Sequence, residues 1–161
     1  MNGISMTTGK KKWAIAEGYI PSGSTGPLPE MESHETVCIL NAEEVNARVE
    51  IMLYFSDKDP VGPYHVNIPA KRTRHVRFNN LNGPEPVPRD TDFASVITSN
   101  VPIVVQHTRL DSREPANALL STIAYASDKP FSLPTRGLPG CCDVKWTMTP
   151  FGTSRGREVT D

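Results

Sequence analysis

Ala47 to Phe55, ARVEIMLYF, decides the fold. Ala47, Val49, Ile51, Leu53 and Phe55 alternate with Arg48, Glu50, Met52 and Tyr54, and side chains of an extended chain fall on opposite faces with period 2. The segment reads as a half-buried antiparallel strand, apolar toward a core and polar toward water. Tyr64 to Ile68 repeats the pattern with His65 and Asn67 outward. Fifteen prolines punctuate the chain, and no clean 3.6-residue pattern of any length survives between them. Trp13–Glu17, Thr73–Phe78, Phe93–Thr98 and Ile103–Leu110 are further strands by the same criterion. Thr36–Leu40 and Ala118–Tyr125 are apolar or small on both faces, as expected for strands in the middle of a sandwich or under a neighbouring subunit. About eight strands at this spacing predict an all-β, antiparallel, jelly-roll-like β-sandwich. SDKDPVGP at 56–63 and NNLNGPEPVPRD at 79–90 supply turn chemistry between them.

The chain of 161 residues has room for one core-forming domain. That domain is expected over 13–126, preceded by a flexible stretch at 1–12. Beyond it, 127–161 carries four prolines, four glycines and no sustained period, the composition of a mostly disordered tail anchored at most by Phe131, Leu133 and Trp146. No apolar run approaches the roughly 18–20 residues that span a bilayer, and MNGISMTTGKKKW has no apolar segment behind its lysines, so a soluble, unexported protein is expected. Cys38, Cys141 and Cys142 make neither a disulfide framework nor a zinc spacing, which fits a reducing cytoplasm. The net charge is −1, but residues 13–126 carry nine Lys+Arg against fourteen Asp+Glu, about −5. An acidic domain argues against a general nucleic-acid footprint.

Ser99 to Arg113, SNVPIVVQHTRLDSR, passes from an apolar run into ionisable side chains. Ile103, Val105, His107, Arg109 and Asp111 share one face of an extended chain, so one strand begins in a core and ends in a charged row. With Trp13, Glu17 and either His34 or Glu35, this row has the aromatic, carboxylate and guanidinium groups that bind small polyols or organic anions. The same groups also make a buried polar network that merely closes the sandwich. Imidazole and carboxylate suit zinc or manganese. Yet the adjacent His34 and Glu35 face opposite ways and no ligand motif is present, so neither a metal nor any other cofactor is expected. There is no G-x-S-x-G turn, and neither Ser33 nor Ser112 has a context that activates a nucleophile, so no catalytic residue is assigned. The basic run Arg72, Arg74, His75 and Arg77 offers contacts to phosphate, a partner or DNA, but alternation divides it between two faces.

WAIAEGYIP at 13–21, SHETVCILNA at 33–42, YFSDKDPVGPY at 54–64, the basic strand at 71–78, DTDFASVITSNVPIVVQHTRLDSR at 90–113 and NALLSTIAYA at 117–126 together resemble the sensory rhodopsin transducer family. The resemblance runs almost continuously over 13–126. It implies an all-β sandwich assembled as a homotetramer, without catalytic activity, in the cytoplasm. It also implies a microbial sensory rhodopsin as the partner at the cytoplasmic membrane face, and a small polar ligand as a partner shared by relatives without a rhodopsin. The positions it carries over are Trp13, Glu17, His34, Glu35, His107, Arg109, Asp111 and Arg113. From Ser127 to Asp161 this chain has no counterpart in the family.

Overall fold

The alternation that begins at Phe93 stays in phase for the whole of one long strand. In the computed structural model, which describes residues 7–127, the chain forms β1 (Lys10–Tyr19), β2 (His34–Asn41), β3 (Ala47–Tyr54), β4 (Val61–Ile68), β5 (Arg72–Arg77), β6 (Asp92–Asp111), β7 (Ala118–Ile123) and β8 (Tyr125–Ser127). A single 3₁₀ turn, Phe78–Asn80, follows β5. All pairings are antiparallel. The expected strands at 93–98 and 103–110 are one strand of 20 residues. Asn100 and Pro102 do not break it, because Phe93, Ile97, Ile103, Val105 and His107 all keep the same inward phase.

This strand serves two sheets. Its first half lies between β1 and β3, in the order β4-β3-β6-β1-β8; its second half lies between β2 and β7, in the order β5-β2-β6-β7. One apolar cluster joins them, with Ile51, Leu53 and Ile97 from the first sheet and Val37, Ile39 and Val105 from the second, which is the sandwich anticipated from the sequence. Each such buried side chain contributes roughly 1.5–3 kcal/mol.

Three differences from the expected elements bear on the site. Strand β1 begins at Lys10, ahead of the expected start at Trp13, and runs on to Tyr19. Its register shifts between Ile15 and Gly18, so burial passes from Trp13 and Ile15 to Gly18 and Ile20. A bulge has that effect, since one extra residue reverses which side chains face inward. Gly18 is required there because a Cβ would lie 2.5 Å from the Phe93 ring. Finally, the expected strand at 118–125 is two short edge strands, and every residue of β7 is exposed. Of the two expectations for this segment, the middle of a sandwich does not hold among the described residues, where no second layer covers its apolar side chains, and the neighbouring subunit is left. The tail expected at 127–161, with Phe131, Leu133, Trp146, Cys141 and Cys142, lies outside the described residues beyond Ser127.

Candidate functional site

On β2 the inward phase is odd-numbered, and Glu35 sits in it with Val37 and Ile39. Pairing with β6 sets Glu35 opposite Arg109 and Val37 opposite His107, so a carboxylate lands between a guanidinium and an imidazole on adjacent strands. Glu35 is fully buried and accepts three hydrogen bonds: from Tyr19 N–H at 2.8 Å, from His107 Nε2 and from Arg109 Nε. A carboxylate only accepts, so His107 carries its proton on Nε2. Arg109 Nη1 reaches Glu17, which the β1 bulge has released to the rim. Burial works against the Arg109 charge, but the carboxylates of Glu35 and then Glu17 outweigh it and hold the guanidinium above its ordinary value. Arg109 Nη2 is buried without a partner among the described residues. Taking an ion out of water costs several kcal/mol, and short charge-assisted bonds are what offset that cost.

The network therefore joins Glu17, Glu35, His107 and Arg109. Trp13 is buried in the core nearby and donates from Nε1 to the Lys10 carbonyl at 3.0 Å, outside the network. His34 faces the other way, its Nδ1 hydrogen-bonded to the Glu32 carbonyl at 2.7 Å. Asp111 leaves the row it shares with His107 and Arg109. It takes Arg113 Nε at 3.0 Å and Arg113 Nη2 at 2.6 Å, and that partner holds its carboxyl below the ordinary value. Arg113 lies 5.8 Å from the centre of the Tyr19 ring, and Tyr19 donates its hydroxyl to Asp90 at 3.1 Å. Asp90 also accepts Ser22 N–H at 2.9 Å; the bonds from Ser22 lower its carboxyl, and Tyr19 and Arg113 add in the same direction.

Sequence reasoning missed the role of two serines. Ser33 and Ser112 are fully buried, with hydroxyls 3.1 Å apart. Ser33 donates to the Gly23 carbonyl at 2.8 Å and accepts Ser112 N–H at 3.0 Å, while Ser112 donates to the Met31 carbonyl. Thr25 donates from both its N–H and its hydroxyl to the Ser112 carbonyl, at 2.6 and 2.7 Å. These bonds staple the Pro/Gly-rich 21–33 loop to the end of β6. A serine flanked by polar residues gives no periodic sign of burial, and both enter the sequence reading only as candidate nucleophiles.

The basic run divides as alternation requires. Val76 is inward, and Thr73, His75 and Arg77 are outward, opposite Leu40, Cys38 and Thr36. Arg72, Arg74 and Arg77 each donate to a backbone carbonyl, of Lys71, Asn67 and Pro29. Between β1 and β7–β8 runs a groove of about 280 Å³ with Glu17 and His107 at its polar side and Leu120, Ile123 and Tyr125 at its apolar side. Among the described residues no three His, Cys, Asp or Glu side chains stand close enough to hold a metal ion.

Residues 8–126 match the family described as Anabaena sensory rhodopsin transducer. The chain belongs to that family. A solved structure of the Anabaena sensory rhodopsin transducer is 64% identical, with a TM-score of 0.58, over 64% of this chain and 100% of that one. A crystal structure of Thermotoga maritima 1070 is 32% identical, with a TM-score of 0.68, over 77% of this chain and 100% of that one. No curated protein matches. The match therefore covers the two-sheet domain and ends within β8, with all four members of the Glu17–Glu35–His107–Arg109 network inside it.

Proposed function

We propose that this protein is a non-enzymatic signal transducer, which relays the state of a microbial sensory rhodopsin through protein contacts at the cytoplasmic face of the membrane. The observation that carries the reading is the family match over 8–126, strengthened by 64% identity along the whole Anabaena transducer chain. Among the described residues no helix is long and apolar enough to cross a membrane, so the rhodopsin would supply the membrane-embedded part. In this reading the buried Glu35 network is structural. Its charges answer one another, and they lock the polar end of β6 to β2 and β1. A rigid end suits a relay, because a packed element transmits a displacement that a loose one absorbs.

The working assembly in this reading is a homotetramer. Strand β7 exposes Leu119 by 72%, Ile123 by 61% and, just beyond, Tyr125 by 74%, and among the described residues β7 pairs with β6 alone. Edges and apolar groups of this kind are commonly covered in stable soluble proteins, and a second copy of the chain is the cover this reading assigns. The test uses the full chain and a sensory rhodopsin from the same source in lipid nanodiscs. Co-purification with the rhodopsin, and sedimentation as four copies, is the expected result; a monomer that never co-purifies in light or dark would refute it.

A further inference from the structure

The outer face of the β5-β2-β6-β7 sheet carries no carboxylate. Cross-strand pairing sets Arg77 opposite Thr36, Thr36 opposite Thr108, and Thr108 opposite Ser121 in one row. The next row sets His75 opposite Cys38, Cys38 opposite Gln106 and Gln106 opposite Ile123. His34 stands on the same face of β2, two residues from Thr36. In a domain with fourteen acidic residues against nine basic ones, a whole sheet face furnished with donors and no acid is a selective arrangement. The face is also concave. A depression of about 480 Å³ is lined by His34, Thr36, Cys38, His75, Arg77, Asn80 and Thr108.

The donors here have capacity left over. Arg77 donates Nη1 to the Pro29 carbonyl at 3.3 Å, and the same nitrogen lies 3.9 Å from Glu32, so the guanidinium is held while four of its five N–H groups point elsewhere. His34 uses Nδ1 on the Glu32 carbonyl, which leaves Nε2 as the ring's other polar atom, and His75 is exposed beside Arg77 on the same strand face. Thr36 and Thr108 stand opposite each other across β2 and β6. A planar guanidinium with hydroxyls and imidazoles around it is the donor set for a tetrahedral oxyanion. We infer that this depression binds a small metabolite through a phosphate-type dianionic group, with Arg77 as its fixed charge and His34 and His75 as imidazole donors beside it. This site lies on the opposite face of the sheet from the Glu35 network.

His75 meets Cys38 across the ladder and Arg77 two residues along its own strand. Glu32 of the 21–33 loop lies 3.9 Å from Arg77 Nη1 and is paired with Arg89.

Sulfate is the probe, because it is a tetrahedral dianion, and calorimetry on the full chain at fixed ionic strength is the measurement. Arg77→Gln should weaken its binding roughly tenfold. His75→Gln, at an exposed position, should weaken it roughly threefold while leaving the melting temperature unchanged. A phosphomonoester should compete with sulfate, and duplex DNA should not. Equal affinity in wild type, Arg77→Gln and His75→Gln, heats reproduced by chloride, or binding of DNA without sulfate would each overturn the site.

Discussion

The two halves of β6 do the same topological work with different chemistry. From Asp92 to Ile103 the strand is the centre of one sheet, and its inward residues Phe93, Ile97 and Ile103 pack in the apolar core. From Val104 to Asp111 it is the centre of the other sheet, and its inward residues past Val105 are His107 and Arg109. Apolar packing is non-directional and tolerates small losses, whereas a buried carboxylate must keep all its donors or bear an uncompensated charge. The apolar half should thus yield gradually to mutation, and the polar half should behave as a unit.

The sharpest way to break that contrast is Glu35→Ala, which strands His107, Arg109 and the Tyr19 N–H. Denaturant unfolding should show a loss of roughly 3–5 kcal/mol. Replacing the network together, as Glu35→Leu with His107→Leu and Arg109→Met, should recover most of that loss, since a well-packed apolar substitute for a buried ion cluster is close to neutral. A triple variant worse than Glu35→Ala would show that the half does not act as a unit. Next in size is Ser33→Ala, which removes the hydroxyl that ties Gly23 and Ser112 together. It should cost roughly 1–3 kcal/mol and make the 21–33 loop the first segment cut in limited proteolysis. In the apolar half, Ile97→Val should cost only roughly 0.5–1.5 kcal/mol.

The smallest effect concerns acid. The Asp90 and Asp111 carboxyls are held below their ordinary value, by Ser22 and by Arg113 respectively. A depressed carboxyl contributes stability that is present above its unfolded value and lost as pH falls through its folded one. Melting temperature should fall on acidification below the ordinary carboxylate range, and Asp90→Asn should flatten that fall while changing little at neutral pH. Asp90 is exposed and Asp111 half-buried at the strand end, so the slope should be shallow and weaker in high salt.

Much of the fold was legible because period 2 is a strong signal wherever one face is buried. Ala47–Phe55 and the odd phase of β6 are plain cases; the choice between His34 and Glu35 stayed open in the sequence, because 36–40 is apolar or small on both faces, and the β2–β6 register decides it for Glu35. What was not legible came from interactions without a period. The bulge that turns Glu17 toward Arg109 shows only in the β1–β6 register. Asp111 prefers its neighbour Arg113 to the row it shares with Arg109, a local choice made where the strand ends. Ser33 and Ser112 meet across 79 residues of sequence. The apolar 118–125 segment looked like a buried strand because composition cannot distinguish a core from an uncovered edge.

Flash photolysis tests the central claim most directly. A sensory rhodopsin from the same source, in nanodiscs, is excited with and without the full chain, and the decay of its photointermediates is followed. The account predicts saturable, concentration-dependent changes in those decay rates, with a midpoint matching the affinity measured by calorimetry. Identical photocycles at saturating protein, together with no heat of binding in light or dark, would contradict it.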